Sequence, residues 1–287
     1  MSIWAHGQAP HFHRDQIASV LGLGTDEVRV VEDGTGGAFG GRSDAFAQLL
    51  VGLAVYKARV PVKLKFTTEE KFIGTTKRHP FWMHMKTGVK KDGSIVAHTA
   101  EIITDAGAYA LSSPGVLMRS VVHSYGPYVV PNVLARGRSI LTNNTPNSAM
   151  RGFGVVQVTF AVEMQINKIC KKLGMSVLDF ARKNGLKKNC VTATGHLLED
   201  NPGYIEAIDT IANHWKNKKN KYTSPEESTK LPPHIKRGVG FASTWHGIGK
   251  TGNINLSRAS VAFLADGTLD LRIGTTELAR DLALLCL

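Results

Sequence analysis

The sequence predicts an α+β fold with mixed helices and antiparallel hairpins. Apolar residues recur at helical spacing in several separated stretches. Two strand pairs turn on Asp-Gly, which supplies the positive φ angles that a tight hairpin needs. Strands and helices intermix without the steady strand–helix–strand rhythm of a parallel sheet.

In chain order, residues 12–22 read as a short helix closed by Gly22, since glycine is favoured just past a helix end. Val28 to Val31 is a strand by its β-branched content, and a glycine-dense loop, Gly34 to Gly41, follows. Ala45, Phe46, Leu49, Leu50, Leu53 and Ala54 then mark an amphipathic helix to about Lys57. Val62 to Phe66 reads as another strand. The first hairpin joins Met83–Val89 to Ile95–Thr104 through Asp92-Gly93, and the second joins Ala259–Leu264 to Leu269–Ile273 through Asp266-Gly267. Between them lie a long helix over 155–173, stopped by Gly174, and two shorter ones over Val177–Lys183 and Tyr204–Lys216. Pro232-Pro233 is the best candidate boundary, which divides the chain into 1–235 and 236–287, unless the two form one continuous domain.

At 287 residues, 43% hydrophobic and 20% charged, the chain can bury a sizeable core. It has no run of eighteen apolar residues and no apolar stretch near Met1 of the kind a signal peptide needs, so the expected location is cytoplasmic. Cys170, Cys190 and Cys286 lie far apart, which argues against a structural zinc site or cluster cage. His6, His11 and His13 match no standard metal spacing. The net charge of +12 invites a nucleic-acid reading, but the densest basic stretch, Lys216, Lys218, Lys219 and Lys221, lacks interleaved aromatics for base stacking. It reads as a solvated linker.

The chemistry concentrates in the loop. Gly34 to Ser43 sits between a predicted strand and a predicted helix, where backbone N–H groups can approach an anion. A phosphate or oxygen-rich ligand and a purely structural turn both fit that pattern. Gly36 to Ser43 is one residue from a P-loop, with Arg42 where lysine belongs, and a guanidinium does not replace a compact ammonium there. Ile102-Ile103-Thr104-Asp105 is a poor version of the metal-binding strand such a site wants. The dinucleotide fingerprint fails, because Phe39 stands where its third glycine should be.

Five separated segments together give a more specific signal. They are Gly36-Gly37-Ala38-Phe39-Gly40-Gly41; Arg78-His79-Pro80-Phe81; Asn143 to Gly154, which includes Ala149-Met150-Arg151-Gly152-Phe153-Gly154; Arg182-Lys183-Asn184; and Asp266-Gly267-Thr268 leading to Gly274-Thr275-Thr276-Glu277. In order and rough spacing they resemble the molybdenum hydroxylases, the xanthine dehydrogenase/aldehyde oxidase family, over nearly the whole chain.

That resemblance implies an incomplete molybdopterin-binding subunit of an oxidoreductase. Gly37, Ala38, Phe39, Gly40 and Gly41 would contact the molybdenum–pterin cofactor through the backbone, with Phe39 at the metal and Arg151 holding the cofactor near it. Neither would be a side-chain metal ligand. Phe153 would pack on a substrate ring, and Arg119 would orient substrate. Ser43 stands where purine-oxidising members carry glutamate, and an aromatic clamp is replaced by small residues around His246-Gly247. Both changes point away from purines, toward another N-heteroaromatic or an aldehyde. The pterin would be molybdopterin or its dinucleotide form, with 2Fe-2S and FAD on partner subunits. The catalytic glutamate would lie beyond Leu287, and the family glutamine over the metal would precede Met1. A truncated, inactive fragment is the competing expectation, and a P-loop nucleotide-binding protein a remote one.

Overall fold

The structure, a computed structural model, describes residues 1–32, 34–223, 232–236, 239–247, 249 and 256–274. The chain opens with strand β1 (Ser2–Ala5), helix α1 (Pro10–Leu21) and strand β2 (Arg29–Glu32), and the two strands pair in parallel. Pro10 suits the first turn of α1, where its missing N–H costs nothing, and Gly22 closes the helix at φ 66°. Ile3, Ile17, Ala18 and Val28 form the small core beneath this unit. The glycine loop leads into α2 (Phe46–Ala58).

The expected strand at Val62–Phe66 does not form a ladder with any described residue. Its alternating Val-Lys-Leu-Lys-Phe pattern finds no ladder partner among the described residues, and the chain turns instead into α3 (Thr68–Gly74). Thr67 caps that helix by accepting from the Glu70 amide at 3.1 Å, while the Glu70 carboxylate accepts from the Thr67 amide at 2.7 Å. Thr67 and Glu70 stand at the Thr-x-x-Glu spacing of a capping box.

The central sheet is β3 (Phe81–Val89), β4 (Ile95–Gly107) and β5 (Val133–Leu141), in the order β3-β4-β5. The predicted hairpin forms β3 and β4, while β5 lies parallel to β4 after helix α4 (Ser113–His123) carries the chain across. Helix α5 (Val155–Leu173) packs on β3 and α4, with Val158 meeting Ala100 and Ile102 beneath it. Helices α6 (Val177–Asn184) and α7 (Tyr204–Thr223) complete the main core, around Tyr128, Val162, Ile166, Phe180 and Ile208. The basic stretch expected to be a linker belongs to α7. It holds no glycine or proline before Pro225, and lysine is a good helix former. The second hairpin, β6 (Ala259–Phe263) and β7 (Leu269–Ile273), pairs as predicted. The outcome is the α+β architecture that the sequence indicates.

Candidate functional site

Two loops meet to build the site, and each needs backbone that side chains resist. In the first, Gly37 and Gly40 adopt φ of 111° and 92°, and Phe39 itself is held at 51°. The Gly41 amide donates to the Ala38 carbonyl at 2.9 Å, and the Ser43 amide to the Gly40 carbonyl at 3.1 Å. A Cβ on Gly40 would lie 2.8 Å from the Ala149 backbone, so only glycine lets the loops approach this closely. The turn also holds Phe39 at positive φ and 42% exposed, a strained position for a bulky aromatic.

The second loop, 143–154, hangs from the end of β4. Asp105 Oδ1 accepts from the Gly107 amide and the Thr142 hydroxyl, each at 2.7 Å, and Oδ2 accepts from Asn144 Nδ2. Burial raises the pKa of this carboxyl, but those hydrogen bonds outweigh it and hold it below the ordinary value. Asn147 donates through Nδ2 to the Asp105 carbonyl at 2.9 Å. Gly107 has φ 72°, and a Cβ there would sit 2.3 Å from the Thr145 carbonyl oxygen. The loop ends in three consecutive residues at positive φ, Gly152, Phe153 and Gly154, immediately before α5.

Between the loops lies a cavity of about 270 Å³, lined by Gln8, Phe39, Gly40, Ser43, Arg151 and Phe153 among others. The Arg151 guanidinium stands over the Phe39 ring, 5.6 Å from its centroid, which joins the two loops by a cation–π contact. Arg78 supports it from below by donating through Nη2 to the Arg151 carbonyl at 2.8 Å. Arg42 Nη1 and Arg78 Nη1 are buried with no hydrogen-bond partner among the described residues. Buried donors of this kind are costly unless something accepts from them.

Of the residues singled out from sequence, Phe39, Gly40, Ser43, Arg151 and Phe153 face one cavity. Gly37, Ala38 and Gly41 shape the turn without lining it. Arg119 is also off the lining: it is buried on α4 and donates to the carbonyls of Gly247 at 3.2 Å and Gly249 at 2.6 Å. It stands one helical turn beyond Gly115, against which the Phe153 ring packs. Burial lowers its pKa, as it does that of Arg78.

Sequence reasoning misses Gln8, whose Oε1 accepts from the Gly40 amide at 3.1 Å. A glutamine does line the cavity, therefore, although the resemblance places one only upstream of Met1. The available signal is its place just after a strand and ahead of the proline that starts α1. Asp105, which the sequence offers only as a poor metal ligand, anchors the second loop instead. The P-loop alternative loses its structural context: that motif opens its helix directly on the Lys-Ser/Thr pair, whereas Arg42 and Ser43 sit in a turn and α2 begins at Phe46.

Residues 1–185 match the family model described as the molybdopterin cofactor-binding domain. The nicotinate dehydrogenase large molybdopterin subunit of Eubacterium barkeri is 41% identical over 202 residues, which cover 70% of this chain and 48% of that protein. A probable xanthine dehydrogenase subunit of Bacillus subtilis is 30% identical over 277 residues, 96% of this chain and 36% of the relative. Among solved structures, the aldehyde oxidoreductase of Desulfovibrio desulfuricans superposes with a TM-score of 0.85 at 29% identity, covering 94% of this chain and 29% of its own. The chain thus spans half or less of the length of these relatives. With the two glycine-bearing loops closing one cavity and the family model covering both of them, this chain belongs to the molybdopterin cofactor-binding domain family of the molybdenum hydroxylases.

Proposed function

We propose that this chain holds the molybdenum–pterin cofactor of a hydroxylase that inserts water-derived oxygen into an N-heteroaromatic or aldehyde substrate. The 2Fe-2S and FAD groups that would take up the electrons would sit on partner subunits, and the remaining molybdopterin-binding half would come from outside residues 1–287. The observation that carries this reading is the shared cavity, with Arg151 set over Phe39.

The residues suit such a group. A pterin and its phosphate are planar, oxygen-rich acceptors, and the cavity region offers the Arg151 guanidinium and the Gly37–Gly41 backbone. Close by are buried nitrogens of Arg42 and Arg78 that have no hydrogen-bond partner among the described residues. When bound, the cofactor supplies oxygen transfer and takes up the two electrons. The chain's own part is to bind and orient. Arg151 and the glycine loop grip the cofactor, Gln8 and Phe39 limit its approach, and Phe153 offers a ring face to a flat substrate. Ser43 replaces a charged acceptor with a hydroxyl, which disfavours purines. Arg119 orients the substrate from behind Phe153. The acid–base carboxylate that the resemblance implies would belong to the length of the relatives that residues 1–287 do not cover, and turnover would need that part as well. The nicotinate dehydrogenase relative favours an N-heteroaromatic over an aldehyde.

No helix among the described residues is long and apolar enough to cross a membrane, and a cytoplasmic location belongs to the same proposal. The boundary near residue 235 belongs to it as well, with the second molybdopterin-binding region starting at 236. A second reading, an inactive fragment, is favoured by the apolar side chains of β6–β7, where Phe263 is 83% exposed. Co-expression with the missing half and the partner subunits tests both. Metal analysis is expected to find molybdenum in the assembled complex, with Arg151→Ala lowering it about tenfold, the cost of one charge-assisted contact. A complex that assembles without molybdenum overturns the proposal, and turnover of an N-heterocycle excludes the inactive fragment.

A further inference from the structure

We infer that His123 is a positioning residue: its neutral imidazole fastens the segment 241–247 to α4 and thereby sets the cavity wall that His246 supplies. The cavity's occupant rests on the proposed function, but the fastening does not.

The tautomer follows from the partners. The Gly247 amide can only donate, and it points at His123 Nε2 at 3.0 Å, so that nitrogen must carry the lone pair. His123 Nδ1 lies 2.7 Å from the Arg119 carbonyl, which can only accept, so Nδ1 carries the proton. Both ring nitrogens are satisfied by the neutral form and by one tautomer alone. The ring is also packed between aromatics of the fastened segment, 4.8 Å from Trp245 and 5.5 Å from His246, and Trp245 leans in turn on Tyr125 at 5.3 Å.

A second fastening holds the other end. Buried Glu163 on α5 accepts from the Ser243 amide at 3.1 Å, from the Ser243 hydroxyl at 3.3 Å and from the Tyr128 hydroxyl at 2.8 Å. Tyr204 Oη meets Ser243 Oγ at 2.8 Å. His246 lies between Ser243 and the Gly247 tie, and it lines the cavity together with Phe39 and Arg151. Arg119 also reaches this end by donating to the carbonyls of Gly247 and Gly249, so without His123 the segment would keep those bonds and its Glu163 end but lose the tie on the Gly247 amide beside His246.

Protonation of His123 would undo the tie, because Nε2–H would then face another N–H. The titratable groups facing the ring are Arg119, on its own helix, and His246, from the segment. Burial acts first; the hydrogen bond to the Arg119 carbonyl opposes it, the neighbouring His246 and Arg119 add to it, and the His123 pKa is lowered to about 4. Glu163 faces Ser243 rather than this ring, and burial raises its pKa. The tie therefore holds across neutral pH.

Hydrogen exchange on the full 287-residue chain, without cofactor, tests the inference. Asparagine keeps a donor where Nδ1 stands but places no acceptor at Nε2, and glutamine does the reverse. His123→Asn is expected to speed exchange over 241–247 about tenfold, while His123→Gln stays within about threefold of the parent. Exchange over 158–170 of α5 should not change in either. Equal behaviour of the two variants, or protection over 241–247 unchanged in both, overturns the inference. If neither variant folds, the ¹⁵N shifts of His123 in the parent chain decide it: a protonated Nε2 at neutral pH, or a midpoint near the ordinary histidine value of about 6.5, overturns it equally. The molybdenum content of the assembled complex answers for the proposed function separately.

Discussion

The two hairpins begin alike and end differently. In the first, the Ser94 amide donates to Asp92 Oδ1 at 3.0 Å and Gly93 sits at φ 87°. In the second, the Thr268 amide donates to Asp266 Oδ1 at 3.0 Å and Gly267 sits at φ 81°. Even the closing bonds match, from the Gly93 amide to the Lys90 carbonyl and from the Gly267 amide to the Leu264 carbonyl, each at 3.0 Å. Beyond the turns the likeness stops. Asn184 reaches the first turn from α6, accepting from the Ile95 amide and donating to the Gly93 carbonyl, each at 2.9 Å. Lys183 adds an ion pair to Asp92 at 3.1 Å. Helix α5 then covers Ile102, which is 1% exposed, while Val261 on the second hairpin is 61% exposed. Turn chemistry is local and repeats wherever Asp-Gly occurs. Cover comes from residues far away in sequence, and it decides which hairpin can carry a site.

The comparison breaks most readily at Asn184. Alanine there would leave the buried Ile95 amide and Gly93 carbonyl without partners, at roughly 1–3 kcal/mol for each group. Asn184→Ala is expected to cost about 3 kcal/mol in urea unfolding, whereas Asp266→Ala should cost about 0.5 kcal/mol or less. Similar losses in the two variants would mean that the turns, rather than their cover, hold the hairpins.

A smaller effect follows from pH. His79 stands just before β3, with Nε2 2.7 Å from the Ser113 hydroxyl, and burial lowers its pKa against a weaker opposing pull from Asp105. The unfolded chain binds this proton below pH 6.5 and the folded chain only at lower pH. Stability contributed by His79 is therefore complete above 6.5 and is lost as pH falls through the lowered folded value. Asp105 acts later in the same direction, because its lowered pKa protects the fold until the pH drops below its ordinary 3.8. The second hairpin has no histidine among residues 256–274. Unfolding free energy measured from about pH 7 to about pH 5 should fall in the parent chain and fall less steeply in His79→Gln. Parallel profiles would remove His79 from the account.

The comparison also explains what is legible in the sequence. Helix ends set by Gly22 and Gly174, and both hairpins, follow from neighbours in sequence and can be read directly. Arg151 and Phe153 stand out because their loop resembles a known motif, and both reach the cavity. The strand expected at Val62–Phe66 fails because a ladder needs a partner, which a local alternating pattern cannot supply. Arg119 carries no mark of its destination: its guanidinium meets the carbonyls of Gly247 and Gly249, 128 and 130 residues away. Gln8 is invisible for the same reason, since only the folded loop brings the Gly40 amide to it.

The smallest expected effect sharpens the comparison most. Phe263 is 83% exposed on β6, and Leu269, its partner across the pair, is 60% exposed. An aromatic left in water contributes little burial energy, so Phe263→Ser should change the stability of this chain by no more than about 0.5 kcal/mol. On a hairpin packed like the first, removing such a ring would cost roughly 3–5 kcal/mol. Urea unfolding of the chain alone separates the two cases, and a loss above about 1 kcal/mol would mean that the second hairpin already has its cover. If the proposed second half supplies that cover, the same substitution in the assembled complex should lower its melting temperature while the chain alone stays unmoved. An unmoved complex would leave the apolar face of β6 unneeded for assembly.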